Sequence, residues 1–433
     1  MKFIIGGKNK LSGEVSLLGA KNAASKAMVA SLLTNEPCEL FNFPKIGDIE
    51  ITAELCREIG SKIAFSPDSL KIETPEIKNF RVSSLSRKNR IPILALGPLL
   101  SRSGVAEVPI LGGDKIGPRP VNLHLESLKM MGAEIEVLEN CYRASAKTGL
   151  KGARIVLDFP SVGATENIIL AAVLASGRTV IENAAIEPEV IDLIKMLQKM
   201  GAIIELGANR KIFIDGVSCL HGASHFLLPD RNEAVSFACL AVATDGNVFV
   251  RGALQDHLLT FLNAIRKVGG EYEIKNNEGI SFFRKNGKLE GLEIETDTHP
   301  GFMTDWQQPF VVLLTQAKGV SIVHETIYED RFLYTRDLNL MGADIKVFTR
   351  CLGELPCRFK GKNFSHSAVI SGPSALKGIY LKVQDLRAGM AHVIAALVAE
   401  GTSEIDGIEE IDRGYYKIDE RLQALGADIK RVD

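Results

Sequence analysis

Seven short segments carry the residue types that recognise anions or move protons. Gly19-Ala20-Lys21-Asn22-Ala23-Ala24 and the glycine-rich run Leu111-Gly112-Gly113-Asp114-Lys115-Ile116-Gly117-Pro118-Arg119-Pro120 offer cations and one carboxylate. Ser161-Val162-Gly163-Ala164-Thr165 reads as a helix start, whose free backbone N–H groups could hold a phosphate. The others are Leu228-Pro229-Asp230-Arg231, Thr304-Asp305-Trp306-Gln307, Asp385-Leu386-Arg387-Ala388 and Asp412-Arg413-Gly414-Tyr415. Guanidinium forks bind carboxylates and phosphates bidentately and stay charged, which suits an anionic substrate. A carboxylate such as Asp305 or Asp114 can move a proton if its surroundings tune it. Each residue also has a plain structural alternative. Asp305 and Asn22 could cap helices, Asp114 could serve a glycine-rich turn, and a lone arginine usually makes a surface ion pair.

These segments need a scaffold, and the chain supplies one by repetition. An amphipathic helix, a glycine near its end and a charged, alternating strand recur about every 70 residues. The copies are LCREIGSKIAF, LESLKMMGAEIEV, LIKMLQKMGAIIEL, FLNAIRKVGGEYEI, RDLNLMGADIKV and ERLQALGADIKR, with Gly60, Gly132, Gly201, Gly269, Gly342 and Gly426 at the helix ends. Glycine accepts the left-handed conformation that stops a helix, and the alternation after it is that of a half-buried strand. Before each copy lies a second, more apolar helix, expected at 23–33, 91–101, 167–175, 233–244, 309–316 and 387–399. Six units of this size are too large for a solenoid repeat. They point to two α/β domains of three units each, with apolar helices inside and sheets outside: residues 20–228, and 1–19 together with 229–433.

Taken in order along this framework, the seven segments resemble those of the UDP-N-acetylglucosamine 1-carboxyvinyltransferases, which are enolpyruvyl transferases. The resemblance runs from the first strand to the last. It implies two inside-out α/β barrel-like domains with an active site in the cleft between them. It also implies transfer of the enolpyruvyl group of phosphoenolpyruvate to the 3-hydroxyl of UDP-N-acetylglucosamine, the first committed step of peptidoglycan precursor synthesis.

The resemblance further assigns residues. Lys21, Asn22, Arg90, Arg119, Arg331, Arg387 and Arg413 match the phosphoenolpyruvate pocket, and Lys21 also counts as catalytic. Asn22, Arg90, Arg119, Pro120, Val121, Asn122, Leu123, Ser161, Val162, Gly163, Asp305 and Ile327 match the UDP-sugar side. Asp305 matches the general base. Asp114 stands where most of the family has a cysteine, the general acid toward C3, so an aspartic acid would deliver that proton here. Without the thiol, the enzyme is expected to resist fosfomycin, an epoxide that alkylates it. Asn122 stands where aspartate is commoner, and Phe159-Pro160 replaces a pair that begins with lysine in some members. The shikimate-pathway enolpyruvyl transferase shares the architecture but opens with a G-S-K-S type of motif instead of Gly-Ala-Lys-Asn. A silent UDP-sugar-binding paralogue would be expected to lack Lys21, Arg119 or Asp305, and all three are present.

Composition narrows the classes. The chain has 433 residues, 46% hydrophobic and 24% charged, with 51 basic against 53 acidic side chains. That is the profile of a soluble globular protein without the basic excess of a nucleic-acid binder. No signal peptide or membrane span is evident, which suggests a cytoplasmic monomer acting on small molecules, with neither nucleic acid nor membrane as partner. No phosphate-loop or dinucleotide fingerprint is present. The cysteines Cys38, Cys56, Cys141, Cys219, Cys239, Cys351 and Cys357 form no C-x-x-C pair, and the eight histidines show no metal-ligand spacing. Reduced, mostly buried thiols, no metal and no cofactor are therefore expected. His124 and His299 adjoin site segments, and structural roles are expected for both.

Overall fold

The computed structural model describes residues 1–82, 85–86, 89–110, 112, 120–276, 278–285 and 287–433. The chain divides into two compact units: Met1–Leu17 with Pro229–Asp433, and the described residues of 18–228.

Each unit is built from three sheets around buried helices. In the 18–228 unit the strand Cys38–Phe41 lies between Ser69–Glu73, antiparallel, and Ser224–Phe226, parallel. Val105–Pro109, Cys141–Ser145 and Glu134–Val137 make a three-stranded antiparallel sheet. The third sheet adds the parallel strand Arg154–Val156 to Arg178–Glu182. The other unit repeats this plan. Its strand Lys2–Gly6 pairs antiparallel on both sides, Phe3 facing Ile405 of Thr402–Asp406 and Arg431 of Ile429–Val432.

The inner helices are buried nearly all round. Every residue of Arg231–Ala243 and of Gln307–Thr315 is buried, as is Leu386–Val398 up to Leu397. These three pack against one another, so they have no polar face and read as apolar runs. In the 18–228 unit the helix Leu96–Ser103 packs on Val162–Ala172. Gly97 sits so close to Ala171 that an added Cβ would lie 2.9 Å from its backbone nitrogen. The outer helices are amphipathic and each ends at one of the six repeat glycines, whose φ values run from 92° at Gly132 to 130° at Gly60.

The inner helix expected at 23–33 is an α-helix over Lys21–Ala30 followed by a 3-10 turn, Ser31–Leu33, and two others differ more from their expected bounds. The helix expected at 167–175 runs Val162–Ala172, with Thr165, Glu166 and Asn167 fully buried inside it. The segment expected to be helical from 91 begins as a 3-10 turn, Ile91–Ala95, with Pro92 in its opening positions. Of the seven cysteines, Cys38, Cys56 and Cys239 are buried, Cys219 is exposed and the other three are half-buried, so "mostly buried" overstated the pattern. Among the described residues, no helix is long and apolar enough to cross a membrane.

Candidate active site

In the unit that contains Pro229–Asp433, the site is organised around Asp305. The residue lies in the 3-10 turn Thr304–Trp306, which leads into the buried helix Gln307–Thr315. Trp306 anchors the turn. Its ring is 1% exposed, packs edge-on against Phe302 at 5.5 Å and Phe261 at 5.9 Å, and donates from Nε1 to Asn232 Oδ1 at 3.1 Å. With the tryptophan held inward, the neighbouring carboxylate stays partly accessible at 18% exposure.

Both oxygens of that carboxylate meet guanidinium groups. Arg331 Nη2 donates to Oδ1 at 2.6 Å and Arg387 Nε donates to Oδ2 at 3.3 Å. The two arginines are 4% and 5% exposed. Burial would pull both downward, but Asp305 and other negative or polar neighbours hold each above its ordinary value. Arg387 begins the helix Leu386–Val398, where Asp385 accepts from its backbone N–H at 2.7 Å. Its Nη1 donates to Tyr415 Oη at 3.0 Å, and Ser236 Oγ lies 2.8 Å from the same oxygen. Gln308, with its amide oriented to satisfy its neighbours, accepts from Arg331 and donates to the Asp305 carbonyl.

Beneath this cluster lies Glu325, fully buried. It accepts from Thr304 Oγ1 at 2.9 Å, Gln307 Nε2 at 2.8 Å and the backbone N–H groups of Ile327 and Tyr328 at 2.8 and 3.1 Å. Burial raises its carboxyl, against the lowering pull of Arg331 and these donors. Glu325 thus ties the turn carrying Asp305 to the loop leading to Arg331. Ile327 is only 9% exposed, so most of its side chain is core. Arg413 Nη1 donates to Glu410 at 2.6 Å, next to the Tyr415 that supports Arg387.

The 18–228 unit carries the other candidates at helix starts. Lys21 opens the helix Lys21–Ala30, and its ammonium lies 2.7 Å from Asp48, itself 6% exposed. Asn22 follows, half-buried. Arg90 precedes the turn Ile91–Ala95, where Asn89 accepts from the Ile91 N–H at 3.0 Å. Pro120 and Asn122 are exposed and Val121 and Leu123 half-buried, at the start of Asn122–Met130. Ser161 caps Val162–Ala172 by accepting from Ala164 N at 3.3 Å. Gly163, in the first turn, faces His124: an added Cβ would lie 3.0 Å from its Cε1. Burial, with Arg90 nearby, pulls His124 down to about 3, so it packs there as a neutral ring. Asp114 and Arg119 lie outside the described residues.

The structure therefore brings Asp305, Arg331 and Arg387 into one hydrogen-bonded cluster. Sequence reasoning missed Glu325 and Gln308, which support this cluster, and Asp48, which holds Lys21. Only the first-turn position of Asp48, after Ile46-Gly47, could have suggested an N-terminal role.

Comparison with known proteins follows the same lines. A family model described as EPSP synthase (3-phosphoshikimate 1-carboxyvinyltransferase) matches residues 5–422. The chain is 48% identical over 431 residues to the UDP-N-acetylglucosamine 1-carboxyvinyltransferase of Protochlamydia amoebophila strain UWE25, covering 98% of this chain and 92% of that protein. Its likeness to the protein of the same name in Chlamydia pneumoniae is 48% over 433 residues, covering 99% and 94%. Among solved structures, the enolpyruvyl transferase NikO from Streptomyces tendae superposes with a TM-score of 0.86 at 22% identity, covering 100% of this chain and 98% of that one. An EPSP synthase from Acinetobacter baumannii gives 0.73 at 19% identity, covering all of both chains.

Proposed function

Because the chain belongs to the enolpyruvyl transferase family, we propose that it transfers the enolpyruvyl group of phosphoenolpyruvate to the 3-hydroxyl of UDP-N-acetylglucosamine. Phosphate is released, and the product enters peptidoglycan synthesis. One observation carries the reading. A chain alike end to end to UDP-N-acetylglucosamine 1-carboxyvinyltransferases sets the carboxylate of Asp305 between two buried guanidiniums, a set suited to an anionic donor beside a hydroxyl that must lose a proton.

In this reading Lys21, Asn22, Arg90, Arg119, Arg331, Arg387 and Arg413 hold the carboxylate and phosphate of phosphoenolpyruvate. Residues 120–123, Ser161, Val162, Gly163 and Ile327, with Asn22, Arg90, Arg119 and Asp305, hold the UDP-sugar. The donor's negative charges compete with Asp305 for Arg331 and Arg387. As those guanidiniums turn to the donor, the carboxylate becomes available to the sugar hydroxyl. The hydroxyl oxygen then bonds to C2 as Asp305 takes its proton and Asp114 protonates C3. From the tetrahedral intermediate the C2–O bond to phosphate breaks and C3 loses a proton, restoring the double bond. The enzyme works in the cytoplasm as a monomer on these two small molecules, with no cofactor.

The test is phosphate release from phosphoenolpyruvate with either UDP-N-acetylglucosamine or shikimate 3-phosphate, for the natural chain and for Asp305→Asn and Asp114→Ala. Release with the UDP-sugar alone is expected, falling about 100-fold or more in either variant. Release with shikimate 3-phosphate would reassign the acceptor, and undiminished release in a variant would remove that residue from proton transfer. Inhibition by fosfomycin at the level of cysteine-type enzymes would refute the acid role of Asp114.

A further inference from the structure

Away from Asp305, the same unit gathers two histidines and two cysteines that are scattered in the sequence. His324 ends the strand Gly319–His324, Cys351 and Cys357 lie on the segment after the strand Asp344–Phe348, and His366 precedes the strand Ser367–Gly372. One ligand atom from each of the four falls within 4.8 Å of every other.

The side chains are arranged as ligands. His366 presents Nε2 to Cys351 Sγ at 3.3 Å, while its Nδ1 lies 2.7 Å from the carbonyl of Phe364. His324 has its Nδ1 2.9 Å from Glu295 Oε2, and its Nε2 is buried without a hydrogen-bond partner. Both rings are fully buried. An acceptor on Nδ1 fixes the tautomer that leaves the Nε2 lone pair free, the arrangement found behind metal-binding histidines. Glu295 is itself held, accepting from the backbone N–H groups of Glu354 at 2.8 Å and Leu355 at 2.9 Å. At Gly353, between the cysteines, a side chain would collide with both Glu295 and the His324 ring.

We propose that His324, Cys351, Cys357 and His366 bind a structural zinc ion through two thiolates and two imidazole Nε2 atoms. Bonds of about 2.3 Å to sulfur and about 2.0–2.1 Å to nitrogen place tetrahedral ligand atoms about 3.3–3.8 Å apart, a modest contraction of the observed set. A two-iron cluster would hold the thiolate pair and the imidazole pair on different irons, too far apart for this spacing. Binding releases one proton from each thiol, and the two thiolates balance the charge of Zn²⁺. Four protein ligands leave no open position, so the ion fastens the segment 349–366 to the strand that leads into Glu325. It thereby supports the loop carrying Ile327 and Arg331 without touching substrate.

The experiment measures zinc in the full-length protein, purified under reducing conditions without chelator and then passed into metal-free buffer. About one zinc per chain is expected. Cys351→Ser and Cys357→Ser should lose it, whereas Cys219→Ser, at an exposed cysteine outside the cluster, keeps it. Glu295→Gln should bind zinc about 10–100-fold more weakly. Because a cysteine variant could misfold, the natural chain is also stripped and loaded with Co²⁺. Thiolate charge-transfer absorption with intense tetrahedral bands is expected. Lack of zinc even after incubation with zinc chloride, equal zinc in the cysteine variants, or a cobalt spectrum without sulfur ligation would overturn the proposal. None of these readouts depends on the enzyme's substrates.

Discussion

Glu166 gives the most quantitative prediction. It lies inside the helix Val162–Ala172, fully buried, with Lys26 Nζ 3.7 Å away and no hydrogen bond to either carboxylate oxygen. Burial is the main cause that lifts it from 4.5 to about 7; Lys26 opposes the shift, and Glu189 and Glu187 add to it. A carboxyl raised on folding favours the folded state while protonated. Its contribution is therefore whole below about pH 4.5 and declines as the pH climbs through about 7. At about 1.4 kcal/mol per pH unit, the loss between pH 5 and pH 8 is on the order of 2–3 kcal/mol. Replacing Glu166 with glutamine removes the titration. It also leaves Lys26 without its carboxylate, so the variant's absolute stability is a poor guide and the pH slope is the quantity to read. Urea unfolding of the 18–228 unit, followed by hydrogen exchange of the helix Val162–Ala172 at pH 5 and pH 8, should show that loss in the natural chain. In Glu166→Gln most of it should be absent. Equal slopes in the two proteins would refute the reasoning.

Two further outcomes concern the site. Arg387→Lys keeps one charge but loses the fork that meets Asp305 and Tyr415 together, so kcat/KM for phosphoenolpyruvate should fall by about tenfold or more; an unchanged value would place the donor elsewhere. Gly163→Ala drives a methyl group toward His124 and should cost about 1–3 kcal/mol, with KM for the UDP-sugar rising more than KM for phosphoenolpyruvate. Steady-state kinetics and thermal unfolding of the same sample read both effects.

What the sequence disclosed was local. The helix-glycine-strand signature could be read because each Gly acts within a few residues, and all six adopt positive φ. Asp305, Arg331 and Arg387 were named from motif resemblance, but the sequence carried no sign that they touch, since Arg387 lies 82 positions from Asp305. Glu325 was invisible for a related reason: a buried carboxylate satisfied by four donors reads as an ordinary charged residue at a strand end. Linear spacing also failed for His324, Cys351, Cys357 and His366, which become neighbours only when one sheet closes.

The strand Lys2–Gly6 lies between Thr402–Asp406 and Ile429–Val432, and Ser12–Ser16 lies beside Asn247–Arg251. On the ribosome, this stretch emerges well before its partners and must wait, unpaired, until they are translated hundreds of residues later. The 18–228 unit can meanwhile assemble on nascent chain already outside the tunnel. Vectorial synthesis thus makes the unit bearing Asp305 the last to mature. It also exposes an apolar edge, Phe3 and Ile5 included, to chaperones during the wait. A circular permutant that joins this segment directly behind Ile429–Val432 would remove the delay.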